Sequence, residues 1–436
     1  MRFKSLDFMK GFALIIIFEA HLGLFWGNGS WNSLWTLTQL IIRPFGPANF
    51  IIISIFGMLL SLDIRDRAGT SKNELGRLLK RSFIFIAIGC VINAIDLGTQ
   101  LTDPTVFIGY KILRVLLNWN ILSYLGVVQI VMYYFRRIKS KWIQLAAVAA
   151  VFAFDYIMVP IFVSAFQSAG LNYKFSDITL PMTQGAPYII GRVILYYSLF
   201  FENAMAPMIP WLAMSFLVSI VYSEFITLLA SGDPSESKLR AAIRKIKYYS
   251  VAIMVVGILS GFRLSPGWIN QSEYYGLINP DIFRIWPPAW GGYPLFLQLD
   301  TSSYIMYSFG LMSLISIYFI DHIDLAEKGV WKQSRVINVL SRFGTFSLTV
   351  FLTHAIAAFI PLSLNYPQFL VALALFTAFY ISVIYAWDKY GHGKYSVEWA
   401  IKLFMSTNLT ARIKSTRKKP GSSVESGMTG AFCPIE

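Results

Sequence analysis

Charged residues are scarce in this sequence of 436 residues. Asp, Glu, Lys and Arg make up 14% of it, whereas a soluble domain carries about 25%. Hydrophobic residues make up 56% and form runs of about 20 residues, the length that a helix needs to cross a bilayer. The low charge excludes an ordinary soluble enzyme, a disordered chain and a coiled coil. The unbroken runs argue against a transmembrane β-barrel, whose strands alternate apolar and polar residues.

Cysteine is scarce as well, since only Cys90, in an apolar run, and Cys433, near the end of the sequence, are present. Two such residues form no disulfide framework, and we predict no metal site. The glycine patterns that bind phosphates or dinucleotides are missing, and so is the His-Glu-x-x-His pattern of zinc proteases. We therefore expect no tightly bound cofactor.

The apolar runs define about ten candidate membrane spans. They cover approximately residues 6–26, 46–63, 82–98, 119–135, 142–163, 205–229, 247–264, 301–320, 343–364 and 368–387. The sequence leaves open whether segment 191–202 is a further half-span. The predicted fold class is all-α, a polytopic membrane bundle over residues 1–410. A basic tail at 411–436 follows, which we expect to be disordered and to lie near cytoplasmic lipid.

Lys and Arg are unevenly distributed among the loops. The formal net charge of +14 would suggest nucleic-acid binding in a soluble protein. Here the basic residues concentrate in alternate loops, at 63–81, 136–141, 230–247 and 321–342, which is the positive-inside bias of membrane proteins. We therefore predict a multi-pass protein of the cell membrane with both termini in the cytoplasm, with membrane lipids and no nucleic acid among its partners.

Ionisable side chains inside apolar spans are costly to bury and therefore mark candidate functional sites. In the first span, Asp7 and Lys10 are three residues apart and Lys10 and His21 are eleven apart, so the three share one helical stripe. In the ninth span, Ser347 and His354 are seven residues apart and share a face. Structural roles explain these side chains about as well as functional roles do. Asp7 and Lys10 would form an interfacial ion pair, and the two histidines would form interhelical hydrogen bonds.

Several motifs occur in an order that resembles the transmembrane acyltransferase superfamily, which includes heparan-α-glucosaminide N-acetyltransferase and prokaryotic relatives. The start of the chain, with Asp7, Lys10, Gly11 and His21, is similar to the first span of that superfamily. The resemblance covers nearly the whole chain through these further pieces: Ser30-Trp31-Asn32, Phe50 to Leu62 with Gly57, Asn120 to Gly126, Pro207 to Trp211, Arg342 to His354, and Glu398-Trp399 with Lys402.

Two positions depart from the pattern of the heparan branch. That branch has a histidine, thought to be catalytic, that one small residue separates from its Ser-Trp-Asn, and this chain has Asn28 there. The Gly-Pro before the final glutamate is Tyr395-Ser396 here. The histidine chemistry of that branch therefore does not simply carry over, and the chain looks closer to the prokaryotic relatives.

The resemblance implies a membrane acyltransferase with acyl-CoA, expected to be acetyl-CoA, as co-substrate. The acyl group would pass from the cytoplasmic donor to a sugar-like acceptor, a carbohydrate or glycolipid, on the outer side. Basic side chains at a cytoplasmic opening suit the phosphates of such a donor. We therefore predict that Arg2, Asp7 and Lys10 form the donor site.

Acyl transfer needs a base that takes a proton from the acceptor hydroxyl or amine. We predict His21 as that base, with His354 in the same cavity to orient it or to bind the acyl carbonyl. The other predicted site residues bind the acceptor or stabilise the oxyanion; they are Asn28, Trp31, Asn32 and Ser347.

Two other functions use the same residues differently. A transporter or flippase for a lipid-linked or sugar-like solute would use membrane-buried His and Asp as a proton relay, and a membrane scaffold would need no chemistry. Incubation of the purified protein with labelled acetyl-CoA distinguishes the three functions, because only the acyltransferase releases CoA. The sequence leaves open the acceptor, the acyl chain, ping-pong or direct attack, and the oligomeric state, for which a homodimer is one option.

Overall fold

A computed structural model describes residues 3–28, 42–70, 73–96, 115, 120–168, 208–232, 235–263, 295–297, 301–325, 331 and 334–406. The regular elements in these ranges are all helical. The α-helices are α1 (Lys4–Trp26), α2 (Pro47–Arg67), α3 (Glu74–Asp96), α4 (Ile121–Phe135), α5 (Lys141–Ser168), α6 (Met208–Val221), α7 (Ser223–Ala230), α8 (Glu236–Arg263), α9 (Ser302–Phe319), α10 (Arg335–Thr345), α11 (Ser347–Thr353), α12 (Tyr366–Gly391) and α13 (Val397–Ser406). A π-helix (Ile320–Leu325) follows α9, and a 3-10 helix (His354–Phe359) follows α11.

Each predicted span contains a helix, so the all-α fold class is confirmed. Among the described residues, four helical segments, built around α2, α3, α9 and α12, are long and apolar enough to cross a membrane. Two bent pairs, α6 with α7 and α10 with α11, raise that number to six. The predicted count of about ten crossings is not confirmed. Segment 191–202 and the tail at 411–436 lie outside the described residues.

The ninth predicted span is not one straight helix. α10 and α11 meet at a bend of 70°, and Phe346 between them has non-helical backbone angles, φ −105° and ψ 27°. Beyond the bend, the N–H groups of Leu348 and Thr349 donate to the side chain of Glu398 instead of to carbonyls of the preceding turn. The hydrophobic periodicity of the sequence predicts a continuous helix here, because it cannot detect a hydrogen-bond partner that lies far along the chain.

The first span crosses α10 at two glycines, Gly11 and Gly344. A Cβ atom added to Gly11 would overlap the carbonyl oxygen of Leu340, and one added to Gly344 would overlap the carbonyl oxygen of Asp7. The two backbones are therefore in direct contact, as at the small-residue crossings that are common between membrane helices. This crossing fixes α1 against the segment that continues to His354.

We expect Gly11→Ala to destabilise the protein by about 1–3 kcal/mol, the usual cost of overpacking. The reason is that the added methyl group meets backbone, which cannot move aside as a side chain can. Thermal unfolding of the purified protein in detergent measures the effect. Gly57→Ala in α2 is the matched control, because a Cβ atom there has no neighbour within 4 Å. An unchanged melting temperature for Gly11→Ala would contradict the crossing.

The C-terminal end of α1 is tied to the segment that precedes α12. The N–H of Leu364 donates to the carbonyl of Trp26 (2.7 Å), and the N–H of Asn28 donates to the carbonyl of Leu364 (3.1 Å). The Trp26 indole N–H also donates to the carbonyl of Ala357 (3.1 Å). α1 is therefore held at its glycine crossing and at its end, and His21 lies between these two points.

Asn120, part of a segment that resembles the acyltransferases, has a structural role. Its side-chain oxygen accepts the N–H groups of Leu122 and Ser123 (both 3.0 Å) and so caps α4. Its amide nitrogen donates to the carbonyl of Gly89 and to the side chain of Asn93 (both 2.8 Å). A buried polar group needs such partners, and here they join α4 to α3.

Candidate active site

The two predicted catalytic histidines are in contact. Nδ1 of His21 lies 2.7 Å from Nε2 of His354, and the ring centroids are 4.9 Å apart. His21 lies in the C-terminal part of α1, and His354 is the first residue of the 3-10 helix after α11. The predicted convergence is therefore present in the structure, whereas the catalytic roles of the two residues stay predictions.

The partners of this histidine pair determine which ring nitrogens carry protons. Nδ1 of His354 lies 2.5 Å from the carbonyl oxygen of Phe351. A carbonyl can only accept, so this Nδ1 donates, and neutral His354 then has an unprotonated Nε2. That nitrogen accepts a hydrogen bond from Nδ1 of His21. Nε2 of neutral His21 therefore carries a lone pair that is suited to accept a proton.

Aromatic rings surround the histidine pair. The rings of Phe18 and Phe351 lie 5.7 and 5.3 Å from that of His354, centroid to centroid, and Phe25 lies 6.4 Å from His21. His354 is 2% exposed, and His21 is half-buried. Apolar surroundings strengthen the hydrogen bond between the rings, and His21 is the more exposed of the two.

The predicted donor residues lie near the N-terminal end of α1. Nζ of Lys10 is 3.7 Å from Oδ1 of Asp7, and their side chains are 29% and 13% exposed. The N–H groups of Lys4 and Ser5 donate to the carboxylate of Asp324 in the π-helix (2.7 and 3.1 Å), which fastens this end of α1. Asp7 and Lys10 are neighbours, as their spacing predicts, and they form the ion pair of the structural alternative. Its role in donor binding stays a prediction.

The other predicted site residues are only partly described. Asn28 is exposed and follows the end of α1. Ser347 is half-buried at the start of α11, so the helix places it about 10 Å from His354 along its axis. The structure thus places Ser347 and His354 at opposite ends of α11. Arg2, Trp31 and Asn32 lie outside the described residues.

Sequence reasoning missed two groups that support the histidine pair. The carbonyl of Phe351 fixes the tautomer of His354, and no residue pattern signals a backbone acceptor. The carboxylate of Glu398 caps the helix that leads to His354. The sequence names Glu398 only as part of a piece that resembles the acyltransferases, and its position as an acidic residue at the start of an apolar helix is the signal for a further role.

Comparison with known families gives these contacts a chemical context. The family model of the heparan-alpha-glucosaminide N-acetyltransferase catalytic domain matches residues 2–242, more than half of the chain. The chain belongs to this family. The predicted resemblance is confirmed, and the chain is an acyltransferase. No curated protein matches it.

Membership of the heparan-alpha-glucosaminide N-acetyltransferase family indicates a membrane acetyltransferase that acts on sugar-like acceptors. The matched region includes α1 with His21 and ends before His354. The second histidine of the pair therefore comes from the part of the chain beyond the match, and only the three-dimensional structure brings it to His21.

Proposed function

We propose that the chain transfers an acetyl group from cytoplasmic acetyl-CoA to an amine or hydroxyl of a sugar-like acceptor at the outer face of the membrane. The observation that carries the proposal is the hydrogen bond between Nδ1 of His21 and Nε2 of His354, because it leaves a basic nitrogen on His21. The basic residues in alternate loops support the sidedness.

The histidine pair supplies the proton transfers. Nε2 of His21 takes the proton of the acceptor while the acceptor nitrogen or oxygen attacks the thioester carbonyl carbon. The carbon–sulfur bond of the resulting tetrahedral intermediate then breaks. The CoA sulfur leaves with the bond electrons and receives the proton back from Nε2 of His21. The products are the acetylated acceptor and CoA thiol, and both rings return to their starting state.

His354 assists this cycle without exchanging a proton with the substrates. While His21 is protonated, its Nδ1–H donates to Nε2 of His354 and so spreads the positive charge. The Phe351 carbonyl holds His354 in the tautomer that accepts this bond. Both nitrogens of His354 are thus engaged, and it is 2% exposed. His21 is therefore the base, and His354 orients it, the logic of a catalytic triad.

Lys10 is the described basic residue that we assign to the donor phosphates. We expect Lys10→Ala to raise the KM for acetyl-CoA by about 10-fold and to leave kcat nearly unchanged, because a charge-assisted contact of about 1.5 kcal/mol is lost equally in ground and transition states. Steady-state kinetics measure both constants. Lys238→Ala, at an exposed position of α8, is the control. A parental KM for Lys10→Ala would show that the donor binds elsewhere.

Sealed vesicles with the cytoplasmic face outward test the proposed direction of transfer. Glucosamine, the acceptor probe, is trapped inside, and acetyl-CoA with a labelled acetyl group is added outside. We expect labelled N-acetylglucosamine inside and free CoA outside, and neither product in vesicles without the protein. Product that forms only when glucosamine is outside would contradict the sidedness. Glucosamine transport without release of CoA would instead support a transporter.

A further inference from the structure

The side chain of Glu398 in α13 caps the N-terminal end of α11. Its Oε1 accepts the N–H groups of Leu348 (2.7 Å) and Thr349 (3.1 Å), and its Oε2 accepts the hydroxyl of Thr349 (2.5 Å). The first N–H groups of a helix lack partners within that helix, and a negative charge at this end is favourable. Glu398 thus stabilises α11 from a helix about 50 residues further along the chain.

α11 is short and leads directly to the histidine pair. It has 7 residues and ends at Thr353, next to His354. A helix of this length is marginal without support, so the groups that hold its start also set its direction. Phe351, whose carbonyl fixes the His354 ring, lies only two residues after Thr349. A tilt at the capped turn would therefore move His354 and also the Phe351 carbonyl, which accepts the hydrogen bond from Nδ1 of His354.

The turn that presents Glu398 has an unusual backbone. His392 and Tyr395 have positive φ angles of 48° and 65°, which non-glycine residues adopt at a cost and which cluster at functional sites. Gly393 packs on the ring of Phe346, the residue at the bend between α10 and α11. At the start of α13, the N–H of Val397 donates to the hydroxyl of Thr349 (2.9 Å). The turn therefore holds α13 against the start of α11 through packing as well as through Glu398.

We infer that Glu398 is a positioning residue for acetyl transfer, which fixes α11 so that Nε2 of His354 accepts the hydrogen bond from Nδ1 of His21. The inference rests on the proposed function of the histidine pair. Glu398 touches neither histidine, and it acts through the backbone of Leu348 and Thr349. Its loss should therefore lower the rate of the chemical step and leave donor binding intact.

The test combines kinetics with the NMR signals of the imidazole nitrogens. The chain has 4 histidines, so single His→Gln variants assign the spectrum of protein with labelled histidine. We expect Glu398→Ala to lower kcat by about 10- to 100-fold, the range for a misplaced catalytic group, and to leave the KM for acetyl-CoA unchanged. The signals of His21 and His354 should shift, whereas that of His322, which lies in the π-helix after α9, should not.

Two further variants separate positioning from general destabilisation. Glu398→Gln keeps a carbonyl oxygen for the two N–H groups and should restore most of kcat and the parental signals. Asp155→Ala removes a comparable cap, because the Asp155 carboxylate accepts the N–H (3.2 Å) and the hydroxyl of Ser302 at the start of α9. It should leave the signals of the histidine pair in place. If Glu398→Ala fails to fold, Glu398→Asp carries the same prediction with a smaller loss.

Unchanged His21 and His354 signals in Glu398→Ala would overturn the inference, and so would the same shifts in Asp155→Ala. A raised KM for acetyl-CoA with parental kcat would also overturn it, because Glu398 would then act on the donor. The NMR readout does not depend on turnover. If the parent protein releases no CoA while Glu398→Ala still shifts the signals of His21 and His354 and not that of His322, the proposed function fails and the positioning contact stands.

Discussion

His21→Ala should lower kcat for acetyl transfer by about 10²-fold or more, the usual contribution of a general base, with little change in the KM for acetyl-CoA. The reason is that Nε2 of His21 carries a free lone pair. His354 donates to the Phe351 carbonyl and therefore accepts the hydrogen bond from Nδ1 of His21, which leaves Nε2 of His21 unprotonated. Without it, the acceptor must lose its proton to water. Release of CoA by the purified variant at saturating acetyl-CoA measures the effect.

His322→Ala is the matched control for this result. His322 belongs to the π-helix after α9, where its ring stacks on Tyr318 (4.1 Å between centroids). Its removal deletes an imidazole of the same size without touching the histidine pair, so kcat should stay at the parental value. Full turnover of His21→Ala, or an equal loss in both variants, would refute the assignment of His21 as base.

His354→Ala should lower kcat by about 10²-fold as well, although His354 exchanges no proton with the substrates. Its Nε2 orients the His21 ring and stabilises it once it is protonated, and loss of an orienting partner is costly in triad-like sites. His354→Gln should recover part of the rate, because an amide oxygen can accept the hydrogen bond from Nδ1 of His21. Comparison of kcat for the two variants tests this role.

Comparison of His354→Gln with His354→Leu distinguishes orientation from simple packing, because the two side chains are similar in volume and only Gln offers a hydrogen-bond acceptor. If the ring only filled space between Phe18 and Phe351, Leu would replace it at least as well as Gln. Equal activities of the Gln and Leu variants would therefore contradict the orienting role. A His354→Ala variant that loses donor affinity and keeps kcat would instead place His354 at the acyl-CoA.

The histidine pair could be predicted from the sequence because the cost of burying a polar ring does not depend on the fold. His21 and His354 interrupt long apolar runs, and such residues need a partner. Helical spacing also placed Asp7 next to Lys10, and their ion pair is present. Local patterns thus identified the helices and the candidate residues.

Contacts between distant segments could not be predicted in this way. The helix that begins after the bend at Phe346 is capped by Glu398, which lies about 50 residues further along the chain. The proton arrangement of the pair depends on a backbone carbonyl, which every residue possesses. Ser347 shares a helical face with His354 in sequence, yet the start of α11 is the end that Glu398 caps, and the pair lies at the other end.

The double variant His21→Ala/His354→Ala tests most directly whether the histidine pair acts as a unit. Residues that share one catalytic task are strongly non-additive. We predict that the kcat of the double variant lies within about 3-fold of the kcat of His21→Ala, because His354 has no function once His21 is absent. A double variant that is slower than His21→Ala by the full factor lost in His354→Ala would contradict the proposed pair, since the two histidines would then act independently.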